Sequence, residues 1–258
     1  MGMSWPAVTV VFFAYAAVVA WTRPDVRLAA RCRVTVLAAI AMVGAAASSD
    51  LAAGVLRQWI VPPLFLLAAY WTSGMLFVRP MLRAEAMLLR IDRSLRVCSI
   101  ARHTPTAVAG CLEVAYASVY PLIPAALAIH LAHSPSPDPD RFWTVILATD
   151  FICFGMLPWI QTRPPRDLDS ESTWRAPFRA VNERLLRHAS IRVNTFPSGH
   201  AAEAAAAALL VMDAPPILLA CVIVNAAAIS AAAVLGRYHY AADAILGWLT
   251  ALLVVSII

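Results

Sequence analysis

Eight runs of apolar residues, each parted from the next by a charged or turn-forming stretch, constrain this chain more than any other feature. They fall at about 5–21, 34–56, 59–78, 105–131, 142–160, 198–212, 216–234 and 240–258. A helix needs roughly 17–25 apolar residues to cross a hydrocarbon core. Charged residues make up only 14% of the chain, against about 25% in a soluble domain, and they gather between the runs. The expected fold is therefore all-α, a polytopic membrane helical bundle of about eight transmembrane helices. The second run is interrupted by Ser48, Ser49 and Asp50, and the sixth is short. Pro62 and Pro63 should delay or bend the third helix, and Pro121 and Pro124 the fourth. Residues 1–56 read as an N-terminal transmembrane helix pair, and 57–258 as a membrane core.

The loops narrow the function. All twenty basic residues are arginine. A chain without lysine has no Schiff-base lysine and no Walker-type phosphate lysine. The formal net charge is +5, but the arginines lie beside apolar runs. Lipid headgroups and the bilayer, rather than nucleic acid, are the expected partners. If all eight runs cross, the loops after runs one, three, five and seven share one side. Those loops hold eighteen arginines, and only Arg57 and Arg141 lie opposite. The positive-inside rule then makes the arginine-rich side cytoplasmic in a multi-pass cell-membrane protein. Within 79–103, arginines alternate with Leu82, Met87, Leu88, Ile91, Leu95 and Val97, a pattern that suits a helix in the membrane interface. A second helical stretch falls at 178–188. The five cysteines show no zinc or Cys-x-x-Cys spacing, and no disulfide is expected. Cys111, Cys153 and Cys221, inside apolar runs, read as packing residues.

Three motifs carry chemistry. In Thr195-Phe196-Pro197-Ser198-Gly199-His200 a turn runs into a helix, whose first N–H groups and dipole attract anions. Gly199 permits close approach of a ligand to the backbone, and Ser198 can cap the helix or donate to a phosphate. His200 sits in the first turn. Downstream, His239 and Asp243 are four apart; on one helix face, the carboxylate would fix the imidazole tautomer. Upstream, Arg163-Pro164-Pro165-Arg166 ends an apolar run, and guanidinium forks suit phosphate.

Arginines, then Pro-Ser-Gly-His, then His-x3-Asp, in that order, resemble the type-2 phosphatidic acid phosphatase superfamily over about the last hundred residues. The forms Pro164-Pro165-Arg166 and His239-Tyr240-Ala241-Ala242-Asp243 also resemble its inositol phosphorylceramide synthase branch. The resemblance implies a membrane phosphatase needing no metal and no cofactor. It implies that His239 attacks phosphorus to give a phosphohistidine, that Asp243 orients it, and that His200 protonates the leaving oxygen. Two departures stand out. The family's first motif is Lys-x6-Arg-Pro, whereas Trp159 stands seven before Arg166 and Met156 seven before Arg163. The third motif's arginine, six before the histidine, is here Ala233. Arg166 is the favoured phosphate ligand and Arg163 the second choice, with Ser198 and Gly199 beside them. Arg237, two before His239, either reaches the phosphate or faces headgroups.

Other polar residues fall inside the runs. Asp150 bonded to Asn225 would form a structural bridge, about 20 Å along the helix from Arg163 and too far for phosphate chemistry. Glu113, Tyr116 and Tyr120 either line a lipid cleft or pack helices. Glu203, one turn past His200, either braces it or faces the interface. The expected function is hydrolysis of a lipid phosphate or diphosphate, phosphatidate- or isoprenyl-phosphate-like. The alternatives are a headgroup phosphotransferase and a non-enzymatic lipid transporter.

Overall fold

The computed structural model describes residues 3–52, 54–168 and 174–258. Among these the fold is all-α, with one antiparallel bridge between Thr162 and Asn194 and no longer strand. Twelve α-helices follow in order: α1 Trp5–Thr22, α2 Leu28–Ser48, α3 Val61–Gly74, α4 Leu82–Ser94, α5 Val97–His103, α6 Thr106–Ala117, α7 Val119–His133, α8 Pro139–Met156, α9 Arg179–Ala189, α10 Gly199–Leu210, α11 Pro216–Leu235 and α12 Ala241–Ile257. A π-helical turn, Leu56–Ile60, leads into α3, whose first residues include the expected Pro62.

Side-chain contacts define two ends of the bundle. At one end Asp140 accepts from Trp5 Nε1 at 2.9 Å and pairs with Arg57, which also donates to the Ser48 and Ser49 carbonyls. There too Arg141 reaches the Ile258 carbonyl, and the His130 ring meets that of Leu210. At the other end Arg23 donates to the Pro158 carbonyl, Gln161 accepts from the Val78 and Arg79 amides, and Arg163 pairs with Glu85. The chain thus passes back and forth between the ends once per apolar run. The loops holding the eighteen arginines meet at the second end.

These passes are not all equal to a bilayer. Among the described residues α1, α2 and α11 are long and apolar enough to cross a membrane, or four spans if α6 and α7, bent by 62°, count as one. The expected eight spans therefore reduce to three or four that meet the requirement. α12 is apolar but has 17 residues, and α8 carries Asp140, Arg141 and Asp150. α10 has 12 residues, about 18 Å of helix, and lies inside the bundle. Ala201, Ala202 and Ala204 through Ala208 are all buried. Alanine lets neighbouring helices approach closely. Gly247 of α12 shows how closely: a Cβ there would stand 2.8 Å from the Ser198 carbonyl oxygen and 3.0 Å from the Ala202 nitrogen.

The outer faces are apolar. Val36, Ile40 and Val43 on α2, Val224 on α11, and Ile245, Leu249 and Leu253 on α12 are exposed. Such a continuous exterior fits lipid, not water. Cys111 and Cys221 belong to it and are exposed; of the three cysteines expected to pack, only Cys153 is buried. α2 begins ahead of its apolar run because Arg31 turns back onto the carbonyls of Arg23, Pro24 and Val26, closing the turn from α1. The break in the fourth run falls at Ser118. Pro121 has no N–H for the Ala117 carbonyl, so α6 stops there, and Ser118 Oγ donates to Asn225 Oδ1 at 3.0 Å.

Candidate active site

The turn before α10 lies at the heart of the bundle. Ser198 caps the helix: its Oγ accepts from the Ala201 amide at 3.4 Å. Its own N–H donates to the main-chain carbonyl of Asp243 at 3.0 Å, tying this turn to α12. A Cβ on Gly199 would meet Asp150 Oδ1 and Phe154 Cε1, each at 3.1 Å. Gly199 is therefore fixed by packing on α8, and the next residue, His200, faces inward.

The second histidine arrives differently from the sequence expectation. α12 starts at Ala241, with Tyr240 as its cap, so His239 precedes the helix. The four-residue spacing still works, because Asp243 sits in the first turn and its carboxylate curls back. Asp243 Oδ2 lies 3.4 Å from His239 Nδ1 and accepts from the Tyr240 amide at 3.0 Å and from Asn194 Nδ2 at 2.8 Å. Asn194, which the sequence did not single out, is held in turn by the bridge to Thr162. With Nδ1 turned to the carboxylate, Nε2 of His239 is the ring nitrogen directed elsewhere.

Both imidazoles line one cavity of about 340 Å³, together with Arg166, Tyr116, Tyr120 and Tyr238. The ring centroids are 6.4 Å apart. That spacing lets one group bound in the cavity contact both rings. Among the described residues His200 Nε2 is buried without a hydrogen-bond partner.

The four arginines near the site separate into two kinds. Arg166 lines the cavity with its guanidinium 5.1 Å from the Tyr238 ring centroid, and its acidic neighbour Asp167 is 3.7 Å away and half-exposed. Its backbone N–H donates to the Arg237 carbonyl at 3.1 Å, joining the first and third motifs. Arg163 instead forks onto Glu85 through Nε at 3.0 Å and Nη2 at 2.8 Å. Burial pushes the Glu85 carboxyl up, but the Arg163 contacts outweigh it and hold the group below its ordinary range. Arg237 is buried against Asp92, in a left-handed conformation with φ 60°, and does not line the cavity. Arg179, missed in the sequence, stacks 4.8 Å from the Tyr238 centroid and bonds Glu113 and the Gly236 carbonyl.

Of the two roles open to Glu113, packing is the one it takes: it accepts from Trp174, Arg179, Asn182 and Tyr238, while Tyr116 and Tyr120 line the cavity. One expectation is corrected. Asp150 does not bridge to Asn225, which is taken by Ser118. It lies in the cavity wall with His200, Arg166 and Glu203. The distance along α8 to Arg163 misled, because the α10 turn is sunk into the bundle and meets α8 at Asp150 and Phe154.

An apolar-skinned helical bundle with paired imidazoles and a guanidinium in an internal cavity defines a membrane protein equipped to hold an anion. Comparison with known families gives the group: the model of the PAP2 superfamily matches residues 79–257, and the chain belongs to that superfamily. The match takes in every residue of the three motifs. Membership indicates a phosphatase-type activity on lipid phosphates. No curated protein and no solved structure matches the chain.

Proposed function

We propose that this protein is a membrane phosphatase that hydrolyses a lipid phosphate or diphosphate through a phosphohistidine on His239. The observation that carries the reading is the placement of His200 and His239 on one cavity, 6.4 Å apart, with Arg166 beside them. His239 Nε2 attacks phosphorus while Asp243 accepts from Nδ1–H and stabilises the imidazolium character that develops. Arg166 neutralises the phosphoryl oxygens, with the Gly199 backbone alongside; Ser198 acts through its cap on α10. His200 Nε2 protonates the departing lipid alkoxide and then accepts a proton from the water that cleaves the phosphorus–nitrogen bond. No metal takes part. The lipid portion lies in the apolar length of the cavity, between Leu66 and Trp143, reached past Trp71 on the surface of α3.

The active site faces the cytoplasm, on the argument that the arginine-rich loops share its end of the bundle. A single cysteine at Arg187, in a chain whose native cysteines are replaced, tests this: protection from an impermeant thiol reagent on intact cells is expected, and labelling before lysis places the site outside. The activity itself is tested by phosphate release from a panel of lipid phosphates by purified protein, with chelator present. Release by the native chain and none by His239→Ala is expected; release that needs magnesium contradicts the reading. The His-Tyr-x-x-Asp form favours one second reading, transfer of the phosphoryl-bearing group to an alcohol, which would appear as a phosphorylated alcohol in the same assay.

A further inference from the structure

Past the two histidines the cavity does not turn apolar at once. Asp150 of α8 and Glu203 of α10 both line it. Glu203 is three residues after His200, about 4.5 Å further along the same helix face. Asp150 is 1% exposed, and its Oδ2 is buried without a hydrogen-bond partner among the described residues. Among the described residues neither carboxyl has a basic side chain paired with it. Elsewhere among the described residues the deeply buried carboxylates away from the two histidines are closed on cations: Glu85 on Arg163, Asp92 on Arg237, Glu113 on Arg179. A buried polar atom left unmatched costs stability. Such an atom in the wall of a ligand cavity, Asp150 Oδ2 with the Glu203 carboxyl on the same wall, marks a place where the ligand supplies the missing donor.

We infer that Asp150 and Glu203 form a polar subsite that accepts a hydrogen bond from a hydroxyl of the lipid, close to its phosphoester oxygen. The inference rests on the phosphatase reading only for the orientation of the lipid. With the phosphoryl group between His239 and His200, the ester oxygen lies at His200 and the chain beyond it runs toward Glu203. A hydroxyl two carbons from the ester oxygen falls within one helical turn of His200, level with the carboxyls. A carboxyl oxygen accepts from O–H whether or not the group is ionised. A diacylated glycerol or a prenyl chain offers only ester oxygens or hydrocarbon there and leaves Asp150 Oδ2 unmatched. The favoured substrate class is thus a phospholipid with a free hydroxyl beside the phosphoester.

The test compares 1-oleoylglycerol 3-phosphate with its analogue in which hydrogen replaces the 2-hydroxyl. Binding of each to full-length His239→Ala protein in lipid nanodiscs is followed by tryptophan fluorescence, since Trp59 and Trp143 line the cavity. The analogue is expected to bind about 10- to 100-fold more weakly. Adding Asp150→Ala and Glu203→Ala is expected to bring the two affinities to within about twofold of each other. A purely structural role for the carboxyls would shift both affinities together and keep their ratio. Equal affinities with the carboxyls present, or a ratio that survives their removal, overturns the inference. Turnover of the two lipids by the unsubstituted protein is read separately: absence of phosphate release sinks the phosphatase reading, while the affinity ratio still decides the subsite.

Discussion

Two polar regions meet at the arginine-rich end of this bundle, and they are built on opposite rules. The frame around the site, formed by α4, α6, α9 and the turn before α12, closes its charges on one another. Arg163 is held by Glu85, Arg237 by Asp92 and Arg179 by Glu113. Among the described residues the cavity leaves its groups unmatched: His200 Nε2 and Asp150 Oδ2 are buried without partners, and Arg166 has the Tyr238 ring and a half-exposed acidic neighbour at 3.7 Å. An arginine already forked onto a buried carboxylate has little capacity left for a phosphate. The comparison assigns the frame to geometry and the cavity to chemistry, although arginines serve in both.

Substitutions can break that division, beginning where the effect is largest. His239→Ala should lower phosphate release by at least about 10⁴-fold with the fold retained, because it removes the nucleophile. His200→Ala should cost about 10²- to 10⁴-fold in phosphate release from a lipid phosphate, and much less in the first burst of p-nitrophenol from p-nitrophenyl phosphate, whose leaving group needs no proton. In the frame the loss should appear as stability. Asp92→Ala removes the carboxylate that pairs with Arg237, both side chains being 1% exposed, and the acceptor of the Ala241 N–H, and should destabilise by about 3–5 kcal/mol in thermal unfolding. Arginines from the two regions give the sharpest contrast. Arg166→Ala should reduce kcat/KM by about 10²- to 10³-fold, whereas Arg163→Ala should chiefly lower thermal stability and reduce kcat/KM by no more than about tenfold. If Arg163→Ala were the more damaging to turnover, the assignment of the two arginines would be reversed. The smallest effect tests the support beneath the cavity. Gly247→Ala pushes a methyl against the Ser198 carbonyl oxygen, 2.8 Å away, and should destabilise by about 1–3 kcal/mol while moving His200 off its position. A drop in kcat larger than the change in KM is the signature to look for.

Much of the cavity was legible along the chain, and little of the frame was. Pro-Ser-Gly-His and His-x3-Asp each lie within a few residues, so their local geometry follows from the sequence. The structure does bring His200, His239 and Arg166 to one cavity. The frame pairs residues 78, 145 and 66 positions apart, Glu85 with Arg163, Asp92 with Arg237 and Glu113 with Arg179. No periodicity or spacing encodes such pairs, which is why Arg237 remained open between phosphate and headgroups and Arg179 was missed. Asn194 was hidden for the same reason, since its partner Asp243 lies on another element. Asp150 was misplaced because distance along one helix was taken for distance to the site. The apolar runs did give the helices, but α10 shows their limit. A run of alanines reads as a membrane segment whether it faces lipid or, as here, other helices.

The most direct test of the account is to catch the phosphoryl group on the enzyme. His200→Ala protein mixed with p-nitrophenyl phosphate and quenched in alkali should accumulate a phosphorylated chain, because the activated leaving group departs without His200 while removal of the phosphoryl group by water is slowed. Mass spectrometry of the digest should place the phosphate on His239, and the additional substitution His239→Ala should abolish it. Phosphate on any other residue, or steady turnover with no phosphorylated chain and undiminished release from His239→Ala, would contradict the central claim.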